Sequence, residues 1–93
     1  MTDEDLRSRA NKYASLFASA GVNPTAFDPA VRGPNELQIA SHSLWMCRQI
    51  PRLLVEQKGS QAREWLRFVE GILWSMGAMS FKDMTSGVTI LGA

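Results

Sequence analysis

Apolar residues recur with the helical period in three stretches of the chain, separated by glycine and proline. In the first, Leu6, Ala10, Tyr13, Phe17 and Ala20 form one row, with Ala14 and Leu16 beside it. A helix over about 3–20 follows. Thr2 and Asp5 have capping-box spacing, Asp3, Glu4 and Asp5 suit the positive end of the helix dipole, and Gly21 followed by Pro24 ends the element. In the second stretch Leu37, Ala40, Leu44, Cys47, Pro51 and Leu54 follow a 3-4-3-4-3 spacing, with Ile39, Met46, Ile50 and Leu53 in a second row. The third carries Ala62, Leu66, Val69, Leu73 and Met76, flanked by Trp65, Phe68 and Ile72.

The second and third stretches predict an antiparallel helical hairpin over about 35–58 and 60–77, hinged at Lys58-Gly59-Ser60, with the first helix packed across it. Asn35 is a good N-cap, and Pro34 is tolerated at a helix start. Pro51 lies deep inside the second helix, where its missing amide leaves the Cys47 carbonyl without an intrahelical donor and predicts a kink. Gly59 as the stop and Ser60 as the next N-cap complete the hinge, and the third helix ends around Gly77. Ser80 and Asp83 have the spacing to start one further short turn. Residues 21–34 contain Pro24, Pro29 and Pro34, so they cannot be helical throughout, while Val22, Ala26, Phe27 and Val31 make them apolar enough for an ordered strap across the helices. The tail from Ser86 has no helical pattern, yet Val88, Ile90 and Leu91 are apolar, which leaves docking and disorder both open. The expectation is one all-α domain over 1–93.

Both helices of the hairpin are apolar around more of their circumference than a single partner covers, so a broad apolar face is left for another molecule. Size sharpens this point. A chain of 93 residues has an unfavourable surface-to-volume ratio, and homodimerisation is expected to supply further burial. Charged residues make up 20%, below the roughly 25% of an average soluble domain, which fits a surface partly reserved for contacts. Ten cations against nine carboxylates leave a net charge of +1, without the basic field that nucleic-acid binding needs. One cysteine excludes an internal disulfide framework; with no signal-like start and no apolar run of membrane-spanning length, the expected setting is a reducing cytoplasm.

No catalytic constellation emerges, and the expectation is a non-enzymatic protein without cofactor or metal. The single histidine, His42, and the single cysteine, Cys47, are five positions apart on one helix, about 140° around its axis, so they cannot form a nucleophile–base pair. A buried structural cysteine and a surface histidine near a tryptophan account for them better. Glu36, Glu56, Glu64 and Glu70 read as single carboxylates on solvated helix faces, which provides neither a metal site nor a paired-carboxylate centre. Trp65, Phe68, Met46 and Met79 read as core.

What remains is a patch. On the second helix His42, Trp45, Arg48, Gln49, Arg52 and Glu56 share the more polar side; on the third, Arg63, Arg67, Glu70 and Trp74 do. Folding back about Gly59 predicts Trp45 level with Trp74 and Arg48 level with Glu70. Tryptophan and arginine dominate binding hot spots, which makes Trp45, Arg48, Arg52, Arg67 and Trp74 the candidate partner-binding residues. The competing account packs the tryptophans on the first helix or the strap and leaves Arg48 and Glu70 as a weak interhelical salt bridge. Gly71 inside a helix costs about 1 kcal/mol relative to alanine, and with Ser75 and Ala78 on its side it suggests a close backbone approach, within the hairpin or at a dimer seam.

The run His42-Ser43-Leu44-Trp45-Met46-Cys47, followed by Trp65-Leu66, Phe68-Val69, Gly71, Leu73-Trp74 and Gly77, resembles small helical accessory proteins of tailed phages and prophages over about half the chain. Many members of that group have glycine where Arg67 stands here, so an interface through Arg67 is particular to this chain. The resemblance implies a phage accessory protein that binds and inhibits a host protein, as anti-CRISPR proteins do, in the cytoplasm of the bacterial host. A weaker similarity in shape is to the helical hairpins of phage anti-CBASS sponges, whose motif is not matched residue by residue. It implies as an alternative a sponge for a nucleotide second messenger, with Arg48, Arg63 or Arg67 on phosphates and Tyr13, Trp45 or Trp74 stacked on bases. A structural or assembly subunit of a phage particle is the third reading.

Overall fold

The computed structural model describes residues 2–26 and 35–78. Three helices account for most of them: α1 over Asp3–Ser19, α2 over Glu36–Val55 and α3 over Gly59–Ser75. The fold is all-α, as the periodicity requires.

Local chemistry sets the start of α1 and α2. The Thr2 hydroxyl accepts from the Asp5 amide, and the Asp5 carboxylate accepts from the Thr2 amide, each at 3.1 Å. The bond from the Thr2 amide, and then the nearby Thr2 hydroxyl, hold the Asp5 carboxyl below its ordinary pKa of 3.8. Asn35 and Gln38 make the same reciprocal pair at the start of α2. The third helix starts differently: Lys58 occupies its N-cap position with no side-chain bond, so Ser60 is not the cap expected of it.

All three helices end in a Schellman motif. After α1 the amides of Gly21 and Val22 reach back to the Ala18 and Phe17 carbonyls; after α3 those of Gly77 and Ala78 reach Trp74 and Leu73. Gly21 and Gly77 supply the left-handed residue, at φ 82° and 77°. After α2 the same two bonds run from Gln57 to Leu54 and from Lys58 to Leu53, and the left-handed residue is Gln57 at φ 60°, not Gly59. The corner of the hairpin therefore sits two residues earlier than the glycine marks it.

The core is built from the expected rows. Leu6, Ala10, Tyr13 and Phe17 of α1, Ala40, Leu44, Cys47, Ile50 and Leu54 of α2, and Ala62, Leu66, Val69 and Leu73 of α3 are buried in one cluster. Burying each of the larger aliphatic side chains contributes about 1.5–3 kcal/mol. Met46 and Leu53 from the second row of α2 join it, whereas Leu37, expected in the first row, is exposed. The second helix runs unbroken through Pro51. Val22 packs on the core and the Thr25 amide donates to the Ser41 carbonyl at 3.1 Å, so the described part of the strap is tied to α2. The remainder of the strap, the Ser80–Asp83 turn, Met79 and the tail from Ser86 lie outside the described residues.

Candidate functional site

The structure departs most from expectation at Glu70. Read as a carboxylate on a solvated face, it is fully buried and acidic, wedged where α3 meets α1. Four residues on one face of α3 separate it from Leu66 and three from Leu73, so the helical period itself turns it toward the core. Both of its oxygens are engaged. The Tyr13 hydroxyl donates to Oε2 at 2.6 Å, Arg67 Nη1 donates to Oε1 at 2.8 Å, and Arg9 Nη1 stands 3.6 Å from Oε2. Tyr13 and Arg9 are one turn apart on α1, so a single carboxylate joins two helices through three side chains. Burial, and then the bond to Glu70, push the Tyr13 hydroxyl above its ordinary pKa of 10.0. Arg48, placed level with Glu70 by a fold-back about Gly59, is exposed and takes no part.

The cluster has a solvent side. Arg67 leaves 52% of its side chain open while one guanidinium nitrogen is fixed on the buried carboxylate. Arg63 and Trp74 share its flank of α3, one turn before and two turns after, and Trp74 is 53% exposed. A hollow of about 490 Å³ lined by Ser60, Arg63, Glu64 and Arg67 continues this surface toward the start of α3. Chemically the flank offers an indole face and two cations, one held in position from below, with no nucleophile or acid–base pair.

Trp45 belongs to a different surface. Its ring stacks on His42 with centroids 5.5 Å apart and meets Trp65 at 5.6 Å. Its aromatic partner across the hairpin is thus Trp65, not Trp74, and the early corner at Gln57 shifts the register in that direction. Trp65 and Trp74 are nine residues apart, half a circle around α3, so the two tryptophans of the expected patch lie on opposite sides of that helix. Arg48 and Arg52 are exposed beside Trp45, with Arg52 Nε 3.4 Å from Glu56. The five candidate residues therefore divide: Arg67 and Trp74 on one flank of α3, and Trp45, Arg48 and Arg52 on the outer side of α2.

The surface around Trp45 is the face of the hairpin turned away from α1. Ile39, Ile72 and Met76, with Glu36 and Ser75, line a groove of about 440 Å³ between the start of α2 and the end of α3. Phe68, one turn before Ile72 and expected in the core, is 51% exposed. Gly71 borders the groove, and no described atom would lie within 4 Å of a Cβ at that position, so no close approach inside the hairpin explains the glycine.

The remaining polar candidates are structural. Cys47 is buried, and burial pushes its thiol up to about 12. Burial likewise lowers the His42 imidazole below its ordinary 6.5. Among the described residues no group of three metal-binding side chains comes together, and no helix is long and apolar enough to cross a membrane. Periodicity pointed to Arg67 and Trp74; the buried carboxylate beneath them was missed, although Tyr13 and Glu70 both stand on the core side of their helices. No protein-family model, curated protein or solved structure matches the chain.

Proposed function

We propose that the chain is a phage-encoded, non-enzymatic protein that binds and inhibits a host protein, a component of bacterial anti-phage defence, as anti-CRISPR proteins do. The observation that carries this reading is the exposed Trp74 beside an Arg67 whose guanidinium is fixed by the fully buried Glu70. An arginine held in place before binding loses less side-chain entropy on contact, and tryptophan and arginine are the residues most often found at the centre of an interface. With Arg63 adjacent, the flank suits a target that presents carboxylates around an apolar pocket. The resemblance to small phage proteins supplies the biological setting and the bacterial cytoplasm as the place of action.

The test is capture from host lysate with wild-type protein and with the Arg67→Ala and Trp74→Ala variants, followed by native mass measurement of the complex. The reading expects a stoichiometric complex lost in both variants while their helical signal is retained. A complex that survives both substitutions overturns it.

A nucleotide sponge is the second reading, favoured by the hollow that Ser60, Arg63 and Arg67 line. Glu64 in the same hollow weighs against it, since a carboxylate repels phosphate. Thermal stabilisation of the isolated chain by cyclic dinucleotides, expected of a sponge and not of a host-protein inhibitor, separates the two.

A further inference from the structure

The apolar face of the hairpin opposite α1 has the make-up of an interface core, and its edges carry charges that select an occupant. Phe68 is exposed on α3 one turn before Ile72 and one turn after Trp65; Trp45 meets Trp65 from α2, and Ile39 of α2 faces Ile72 across the groove. An unpaired cation stands on one outer edge and an unpaired carboxylate on the other, the latter with Arg63 and Arg67 behind it. Arg48 follows Trp45 by three residues and Ile39 by nine, so it projects from the side of α2 turned away from α3. Glu64 precedes Phe68 by four and lies on the opposite outer edge, along α3. Both are exposed, and neither is in an ion pair with any described residue. Because Trp45 lies against Trp65, Arg48 and Glu64 stand within about one helical turn, 5.4 Å, of the same height.

We infer that this face binds a second copy of the chain, across a two-fold axis running along the seam between α2 and α3. Rotation about that axis lays α2 of each copy over α3 of the other. Trp45 then covers the Phe68 region of the partner subunit, and Arg48 meets Glu64 of the partner subunit, with the same pair repeated by symmetry. The alternative two-fold, running across the helices, lays α2 on α2 and brings Arg48 and Arg52 of both copies together, which like-charge repulsion disfavours. Gly71, next to Phe68 with open space above it, leaves room for the arriving helix. The seam borders the Arg63–Arg67 hollow at Glu64 and leaves Trp74, half a circle around α3 from Trp65, outside it, so a dimer still presents two Trp74 flanks to targets.

Sedimentation equilibrium of the wild type and four variants tests this, with circular dichroism to confirm folding: Phe68→Asp, Arg48→Glu, Glu64→Arg, and the double exchange Arg48→Glu with Glu64→Arg. Phe68 and both charged residues are exposed, so the substitutions leave the core intact. The expected result is a dimer that Phe68→Asp abolishes, that each single reversal weakens about tenfold or more, and that the double exchange restores to within about threefold. A wild type that is monomeric throughout the micromolar range, an assembly larger than a dimer, a dimer indifferent to Phe68→Asp, or a double exchange no tighter than the single reversals overturns the inference.

Discussion

Replacing Tyr13 by phenylalanine removes one hydroxyl and changes nothing else in the shape of the core. That hydroxyl is buried and donates to Glu70 Oε2 at 2.6 Å. A hydrogen bond to a charged group contributes about 1.5–3 kcal/mol, and the Glu70 oxygen left behind is fully buried, so a loss of about 2 kcal/mol is expected. At 4–8 °C per kcal/mol for a domain of this size, the melting temperature should fall by roughly 8–16 °C. The magnitude stays below that of a fully broken buried pair because Arg67 at 2.8 Å and Arg9 at 3.6 Å still compensate the carboxylate. Glu70→Leu should cost more, since it strands the Tyr13 hydroxyl and frees both arginines. The double variant should cost less than the sum of the two by about 1.5 kcal/mol or more, because each single change leaves an unmatched buried polar group that the double change removes. Thermal and urea unfolding followed by circular dichroism, at matched protein concentration, measures all three. A Tyr13→Phe melting temperature within about 2 °C of wild type, or strict additivity in the cycle, refutes the assignment of Glu70 as the buried link between α1 and α3.

Gln57→Gly should stabilise the chain by about 1 kcal/mol, since Gln57 holds a left-handed conformation at φ 60° that glycine adopts without strain; urea unfolding checks it. Below the association midpoint, where the chain is monomeric, Gly71→Ala should also raise folding stability by about 1 kcal/mol, because a Cβ there meets no described atom and alanine is the better helix former; a loss of stability there would mean a close neighbour within the chain. Stability should decline as pH rises past 9–10. Folded Cys47 holds its proton up to about 12 and Tyr13 to above 10.0, while the unfolded chain releases them at the ordinary 9.0 and 10.0. Tyr13→Phe should flatten the upper part of that decline, and a thiol reagent should label Cys47 at the rate of global unfolding.

The helices themselves were legible because three independent local signals agreed: the apolar period, the reciprocal caps at Thr2 and Asn35, and glycines at the ends of α1 and α3. The hairpin register was not, and one residue is a large part of the cause. Glycine is the usual left-handed corner, so Gly59 drew the pivot to itself, whereas Gln57 takes that conformation at its own cost. A corner at Gln57 shifts the pairing across the hairpin by about four residues, in the direction that carries Trp45 away from Trp74 and toward Trp65, whose ring it meets at 5.6 Å. Glu70 was misread for a different reason: its burial depends on α1 crossing α3 at that height, a tertiary relation that no pattern within α3 contains. Its place between Leu66 and Leu73 on the inward side was a visible hint, and Tyr13 and Arg9 one turn apart on α1 were the partners it required. The division of the expected tryptophan–arginine patch into two surfaces follows from the register, since Trp65 and Trp74 stand half a circle apart on α3.

The claim on which the whole account turns is that α3 presents two opposed contact surfaces, one toward a second copy and one toward a target. Radical footprinting of the chain at concentrations below and above its association midpoint reads both at once. The account predicts that Phe68 and Trp65 lose reactivity as the protein associates while Trp74 keeps it. Protection of Trp74 with Phe68 unchanged, or no concentration dependence at either residue, would contradict it.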